Sequence, residues 1–254
     1  MGSQTTTQSL LIHFINFNQV DPTKVAVITA YFSRLPPSFL PPPPRFSVDH
    51  YLFSNFPIRI DGWKTVTLSG LDTNDAYGYR KLAKLPKVLP HLFLPGYQWF
   101  VWHDFNQIAQ LNPIEIINYL DKHNKDFAGF QHSLRRCVYE EAETVRHSRE
   151  HSEAIDKVKQ LLRINQIGSP SGLFELTAFY RRNCPKLNEA FAYWMDLINN
   201  VSSRDQLTFP LIIKKFQIDA IQILAGTAQK HVGGGNEFFL QYNNPLIVSG
   251  KGWR

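Results

Sequence analysis

Tyr97-Gln-Trp-Phe-Val-Trp-His-Asp-Phe-Asn106 is the stretch of sequence that decides the fold. Apolar and aromatic residues dominate it as far as Trp102, and Asp104 follows almost at once. A short apolar run of this kind predicts a strand that is buried inside a sheet. In open α/β sheets, ligands bind beyond the carboxyl ends of the strands. The sequence therefore predicts that Asp104 stands at a functional edge of the sheet.

Asp104 and Asn106 are candidate metal ligands. If the chain stays extended here, the two side chains lie on the same side, because side chains of a strand alternate. Carboxylate and amide oxygens suit a hard divalent cation that also holds substrate phosphates. The alternative is that Asp104 only caps the turn into the next predicted helix, and the segment alone leaves both interpretations open.

Strands alternate with helices on both sides of this stretch. We predict further strands at 24–33, 50–54, 63–68, 126–131 and 173–180, and helical segments at 75–84, 114–122, 139–164, 186–199 and 204–216. Pro86 and Pro90 are predicted to end the first helix. This order predicts an α/β fold, with a Rossmann-like, mostly parallel sheet flanked by helices in a single domain.

The expected organisation has three parts. An N-terminal segment covers 1–23, the domain covers 24–216, and a C-terminal tail covers 217–254. Within the domain, the proline-rich stretch 35–45 predicts a polyproline-like surface loop. The tail carries the Gly233–Gly235 run beside His231, which predicts a mobile lid in which His231 reaches a bound metal or diphosphate.

The bulk composition limits the classes of function. Among 254 residues, 43% are hydrophobic and 19% are charged, which is enough for a substantial core. The net charge of +6 favours an anionic partner, although the basic residues form no block. Neither cysteine belongs to a C-x-x-C pair, which excludes zinc-ribbon and thioredoxin chemistry and favours a reduced, cytoplasmic protein. No apolar run is long enough for a membrane span.

Basic residues precede the decisive strand. On a helix, Arg80, Lys84 and Lys87 share one face, and such a face suits a diphosphate. The alternative is a solvated face of charged side chains, which composition favours. His91 follows and is a further candidate for donor binding.

A second basic group follows the strand predicted at 126–131. His132, Arg135 and Arg136 are expected at the same functional edge, since they come directly after that strand. Guanidinium groups fork onto phosphate oxygens or sugar hydroxyls. The alternative is a salt-bridged helix start, in which nearby acidic residues are favoured by the helix dipole.

Asp205 lies in the first turn of the predicted helix at 204–216, after Ser202-Ser203. It is either a residue that stabilises the helix start or a group that binds the acceptor and acts as a general base. A helix N-terminus lowers the pKa of a carboxylate and weakens it as a base, whereas burial opposes that shift.

The motifs over about residues 24–216 resemble a glycosyltransferase-like family that includes plant cell-wall glycosyltransferases and bacterial proteins. The similar segments are Lys87-Val-Leu-Pro-His91, then Trp102-His-Asp-Phe-Asn106, then His132-Ser-Leu-Arg-Arg-Cys-Val-Tyr-Glu-Glu-Ala142, and Trp194 followed by Ser202-Ser-Arg-Asp-Gln-Leu-Thr-Phe209. The resemblance implies a GT-A fold in which Asp104 serves as the metal-binding acidic residue. The chain departs from the family at Phe105, where a small residue is usual, and at Asn106, where many GT-A enzymes carry Asp.

These features together predict a glycosyltransferase. It would transfer a sugar from a nucleoside-diphosphate sugar to the hydroxyl of an unidentified acceptor, which is a glycan, a protein or a nucleic acid. Mn²⁺ or Mg²⁺ would assist, held by Asp104, Asn106 and His231. The residues expected to bind the donor are Arg80, Lys87, His91, His132, Arg135 and Arg136, and Asp205 is expected to act on the acceptor.

The alternative function is a basic nucleotide- or nucleic-acid-binding module without catalysis. Its support is the sequence pI near 9.3 together with 19 Phe and 10 Tyr residues, because bases stack on aromatic rings. The absence of a basic block argues against it. The two functions merge if the acceptor of a glycosyltransferase is itself a nucleic acid.

Overall fold

The computed structural model describes residues 20–70, 73, 75, 77–132, 134–146, 148–223 and 239–241. Its strands are β1 (Val25–Tyr31), β2 (Asp49–Ser54), β3 (Trp63–Thr67), β4 (Trp99–His103), β5 (Gln107–Ala109), β6 (Phe127–Gln131), β7 (Phe174–Arg182), β8 (Ala220–Ile223) and β9 (Phe239–Gln241). Seven of them form one sheet in the order β3-β2-β1-β4-β7-β6-β8, and β5 pairs with β9. The sheet thus extends past residue 216, since β8 is one of its edges.

The seven-stranded sheet is mostly parallel, as the sequence predicts. β3, β2, β1 and β4 run parallel to one another, and β6 is parallel to β8. β7 runs antiparallel to both β4 and β6, between which it lies. The carboxyl ends of β4 and β6 therefore meet the amino end of β7 at one edge of the sheet, and this edge carries the candidate site.

Helices cover both faces of the sheet. They are α1 (Gly78–Val88), α2 (Pro90–Phe93), α3 (Pro113–Lys122), α4 (Val138–Val145), α5 (Ser152–Ile164), α6 (Pro185–Asn200) and α7 (Asp205–Lys215). Val25 and Val27 of β1 share one apolar cluster with α3, whereas Ala26 and Ile28 share the opposite cluster with α6 and α7. This alternation along β1 produces an α/β domain of three layers.

Pro86 does not end α1, so that prediction is wrong. α1 begins at Gly78, passes through Pro86 and ends at Val88. The proline costs one backbone hydrogen bond close to the end of the helix. Tertiary contacts hold the last turn, because Val88 is fully buried and its carbonyl accepts a bond of 2.9 Å from Arg181 Nη1.

Two other segments differ from expectation in detail. The region predicted as helical at 139–164 is two helices, α4 and α5, and the turn between them holds Glu150. The proline-rich stretch is an irregular loop, as predicted, and it packs against the sheet. The carbonyl of Pro42 accepts a hydrogen bond of 3.1 Å from Trp63 Nε1.

Cys137 and Cys184 both carry free thiols. No helix in the described ranges combines the length and the apolar content needed to cross a bilayer.

Candidate functional site

Asp104 opens a tight turn at the carboxyl end of β4. Its amide donates to the carbonyl of Thr177 over 2.7 Å, and its own carbonyl accepts from the amide of Gln107 over 2.9 Å. β4 ends at His103, so Asp104 and Asn106 are not on an extended chain. The strand alternation used to place them on one side does not apply, because a turn sets the direction of Asn106.

The carboxylate of Asp104 is held by the strand that precedes it. Trp102 Nε1 donates to Asp104 Oδ1 over 3.1 Å. A hydrogen bond to the charged form fixes the side chain at the edge of the sheet without neutralising it.

The packing of Phe105 accounts for a large residue at this position of the turn. Its ring is 4.9 Å from that of Tyr31 and 5.3 Å from that of Phe39, measured between centroids. The side chain is buried and joins the end of β1 to the proline-rich loop. The bulky side chain thus anchors the turn to β1 and to the proline-rich loop.

A buried ion-pair group faces the same edge. Asp205 Oδ2 lies 2.8 Å from Lys84 Nζ and 2.6 Å from Lys87 Nζ. Lys87 Nζ also donates to the carbonyl of Leu176 in β7 over 2.7 Å. The prediction that these lysines share one face of α1 is confirmed, and the alternative of a solvated face is wrong.

The electrostatics of this group determine what Asp205 can do. Burial raises the pKa of Asp205, but the charges and hydrogen bonds of Lys84 and Lys87 outweigh it and hold that pKa well below its usual range. A carboxylate so stabilised is a weak proton acceptor. These contacts make Asp205 poorly suited to the role of general base, and they show that Asp205 holds the two lysines in place.

Lys84 is the lysine of this pair that reaches towards solvent. Its side chain is 15% exposed, compared with 2% for Lys87. Burial lowers the pKa of Lys84 to about 8, and the negative charges of Asp205 and Asp104 oppose that shift. The influence of Asp104 places Lys84 within electrostatic reach of the acidic turn.

A third group follows β6. Glu141 is fully buried, with Oε2 at 2.5 Å from Arg135 Nε and Oε1 at 3.0 Å from Arg204 Nη2. His132 Nδ1 accepts from the amide of Arg135 over 3.0 Å. Burial lowers the pKa of His132, and the charges of Arg135 and Arg204 add to that effect. His132 is therefore neutral and shapes the loop that positions Arg135.

Glu150 organises the segment before α7. Its Oε2 accepts from Ser202 Oγ over 2.8 Å, from Ser203 Oγ over 2.9 Å and from the amide of Arg204 over 3.1 Å. Arg80 Nη1 in turn donates to Ser203 Oγ over 3.1 Å. These bonds fix the chain that leads into Asp205, because three consecutive residues bind the same carboxylate.

Several predicted donor-binding residues lie elsewhere or are engaged within the protein. Lys87 is buried, and its ammonium group is committed to Asp205 and Leu176, so it does not reach a donor. His91 lies in α2 and is influenced by Arg181, which pairs with Phe100 near the opposite end of β4. Arg136 is exposed on the loop before α4.

His91 lies away from the turn at Asp104 in this fold. Burial and, to a lesser extent, the charge of Arg181 lower its pKa to about 4. His231 and the Gly233–Gly235 run lie outside the described residues.

Sequence reasoning did not assign a role to three residues that shape the site, which are Glu141, Glu150 and Arg204. It placed Lys84 on the basic helical face but did not include it among the residues expected to bind the donor. Lys84 carries a detectable signal, because it shares the helical face of Arg80 and Lys87. Glu150 carries none, since its partners are more than fifty residues away in the chain.

The turn at Asp104 and Asn106 offers enough ligands for a hard cation only if a bound substrate supplies others. Among the described residues, no group of three or more His, Cys, Asp or Glu side chains is arranged to hold a metal ion. Asp104 and Asn106 offer oxygen donors at one turn, and Mg²⁺ or Mn²⁺ accepts such a set when phosphate oxygens and water complete the coordination. The donor chemistry is therefore compatible with a metal that arrives with a phosphorylated ligand.

The solved structures with similar folds are distant. Apo mouse xyloside xylosyltransferase 1 has 10% identity and a TM-score of 0.46, with 86% of this chain and 97% of that chain covered. The bifunctional glycosyltransferase WbbM has 12% identity and a TM-score of 0.44, with 87% and 42% covered. A glycosyltransferase involved in glycosylation of the major capsid of PBCV-1 has 10% identity and a TM-score of 0.40, with 79% and 80% covered. Among curated proteins, none matches this sequence.

The mostly parallel sheet, with helices on both faces and an acidic turn at its carboxyl edge, defines an α/β domain. The model of one family, described as TOD1/MUCI70, glycosyltransferase-like domain, matches residues 50–225. That segment is more than half of the chain and holds the turn at Asp104, the Glu141 group and Asp205. The chain belongs to the TOD1/MUCI70 glycosyltransferase-like family.

Proposed function

We propose that this protein transfers a sugar from a nucleoside-diphosphate sugar to an acceptor hydroxyl. The observation that carries the proposal is the position of Asp104, fixed by Trp102 at the carboxyl edge of the sheet and within electrostatic reach of Lys84. Membership of a glycosyltransferase-like family supports the same class of reaction. A carboxylate beside a cation at this edge is a suitable receptor for a diphosphate and its metal.

In this proposal, Asp104 and Asn106 hold Mg²⁺ or Mn²⁺ against the donor diphosphate. The cation would stabilise negative charge on the leaving group. Lys84 adds a second positive charge on the side of the diphosphate that faces α1. Lys87 and Asp205 act on the donor indirectly, because they hold Lys84 in position.

The proposed part played by Lys84 makes diphosphate binding depend on pH. As the pH rises through about 8, the pKa to which Lys84 is lowered, its side chain loses a proton and its positive charge. We expect the affinity for a nucleoside diphosphate, measured by calorimetry in EDTA, to fall by about threefold to tenfold between pH 7 and pH 9.5.

Lys84→Arg is the matched control for this pH dependence. Arginine keeps its charge over the whole range, so its affinity should stay nearly constant. The charged groups that act on Lys84 are Asp205, Lys87 and Asp104. An equal loss of affinity in both proteins would show that Lys84 does not contribute to diphosphate binding.

Chelation tests the proposed metal separately. With the metal removed by EDTA, we expect turnover to fall at least about a hundredfold and to return when Mn²⁺ or Mg²⁺ is added in excess. Zn²⁺ should restore less, because the turn offers oxygen donors rather than sulfur or imidazole. Full activity after exhaustive chelation would contradict the proposed metal and leave Lys84 as the group that stabilises the diphosphate.

The decisive experiment is a panel of nucleoside-diphosphate sugars with Mn²⁺, scored by release of the nucleoside diphosphate. Slow hydrolysis of one donor is expected even without the acceptor, since water reaches an open edge. Release from no donor, together with salt-sensitive binding of single-stranded nucleic acid, would favour the alternative of a non-catalytic binding module.

A further inference from the structure

Four arginines gather around the segment that leads into α7, and we call them the arginine cluster. They are Arg80, Arg135, Arg149 and Arg204: Arg80 Nη1 donates to the carbonyl of Arg149 over 2.7 Å, and Arg135 and Arg204 share Glu141. Arg149 follows α4, Arg135 follows β6, and Arg204 precedes α7, so separate elements bring them together. The charge of Arg204 lowers the pKa of Arg149 and of Arg80, although burial is the larger cause for both.

Two glutamates face the arginine cluster. Glu141 pairs with Arg135 and Arg204, and the charge of Glu150 stabilises Arg80. Four guanidinium groups against two carboxylates leave a surplus of two positive charges. The neighbouring lysines add nothing to this surplus, because Lys84 and Lys87 are balanced by Asp205 and Asp104.

The cluster also holds hydrogen-bond donors that the protein does not use. The side chain of Arg149 is exposed and has no hydrogen-bond partner among the described residues, and the charges of Arg204, Glu141 and Arg135 act on it. Arg204 Nε is buried and lacks a partner within the described part of the chain. The buried N–H group of Arg204 costs free energy while it has no partner, and a bound oxyanion would recover that cost.

The cluster is displaced from the proposed donor site. Asp104 follows β4 and Arg135 follows β6, and β7 separates these two strands. Two strand spacings correspond to about 10 Å. An anion at the cluster is therefore a group other than the donor diphosphate at Asp104.

We propose that the arginine cluster binds a phosphate monoester carried by the acceptor. The inference rests on the proposed function for the identity of that acceptor. A phosphate monoester carries a charge of about −1.5 to −2 near neutral pH, which matches the surplus of the cluster, whereas a single carboxylate leaves half of it unbalanced. Guanidinium groups bind phosphate oxygens in paired hydrogen bonds, which would use the free donors of Arg149.

Direct binding of inorganic phosphate tests the site without any sugar donor. Calorimetry at pH 7.5 in EDTA should show one phosphate bound per chain, with acetate bound at least tenfold more weakly. Arg149→Gln should weaken phosphate binding by about tenfold, the loss expected from a charge-assisted hydrogen-bond pair. Arg149→Lys, which keeps the charge but not the paired donors, should recover only part of the affinity.

Two matched variants locate the phosphate. Arg163→Gln removes the same charge from an exposed position in the last turn of α5 and should change the affinity less than twofold. Lys84→Gln alters the proposed donor site and should change the affinity for phosphate less than threefold. The proposal would be overturned by any of three results: unchanged phosphate binding in Arg149→Gln, equal binding of acetate and phosphate, or a loss of phosphate binding confined to Lys84→Gln.

A transfer assay then separates the two sources of phosphate. Once a donor is known, phosphorylated monosaccharides should accept sugar at least tenfold better than their neutral counterparts, and Arg149→Gln should remove that preference. Binding of inorganic phosphate without such a preference would overturn the assignment to the acceptor. Because binding is measured without a donor, failure of the proposed function would not affect the first result.

Discussion

Replacing Asp104 with Asn is expected to lower turnover by about a hundredfold or more while the protein stays folded. Asparagine keeps an oxygen that accepts the hydrogen bond from Trp102 Nε1, so the turn should survive. The substitution removes the negative charge that the proposed metal requires. Initial rates with the donor identified by the panel, measured beside a thermal melt, provide the test.

Asp219→Asn is a suitable control for Asp104→Asn. Asp219 is 74% exposed and pairs with Lys125 at the surface, so the same chemical change should leave turnover within about twofold. Near-normal turnover in a folded Asp104→Asn protein would contradict the assignment of Asp104 to the metal and the diphosphate.

Replacing Asp205 with Ala is expected to destabilise the fold by about 3–5 kcal/mol. The physical reason is that Lys84 and Lys87 would keep their positive charges in a buried environment after the shared partner is removed. Equilibrium unfolding in urea measures the change. Activity assays on this variant must be run where it is still folded, because part of any loss of turnover would come from unfolding.

A double-mutant cycle separates two effects of removing Asp205: the buried lysine charge left without a partner, and the loss of side-chain packing. Adding Lys87→Met to Asp205→Ala should recover a substantial part of the lost stability, since the buried charge disappears. Asp121→Ala is the comparison, because Asp121 is 43% exposed and pairs with Arg182 over 2.6 Å, and it should cost no more than about 1 kcal/mol. Equal losses at Asp205 and Asp121 would show that the buried group contributes no more than a surface pair.

The fold was predictable from the sequence because its pattern is local. The run from Trp99 to Trp102 is continuously apolar, and it forms most of β4, a central strand that is buried along its whole length. The alternation of strands with amphipathic helices predicted the layers. Asp104 lies at the carboxyl edge for the same reason, since the end of an apolar run marks the end of a strand.

Residue roles depended on long-range contacts that a local pattern does not contain. Lys87 looks like part of a solvated surface, yet its burial follows from Leu176 and Asp205, which are far away in the chain. Asp205 looks like a helix cap or a base, and the two lysines that bind its carboxylate could not be read from the sequence around it. Pro86 would end an isolated helix, whereas packing of Val88 carries α1 past it.

The antiparallel strand β7 also decides when the two parts of the sheet can join. β7 is made after both β4 and β6, and it is the strand that joins them. Until it inserts, the emerging chain has open strand edges on either side of the gap, and such edges recruit other chains. Its first residues also supply the carbonyl groups that receive Lys87 Nζ and the amide of Asp104. One late event therefore closes the sheet against aggregation and assembles the candidate site.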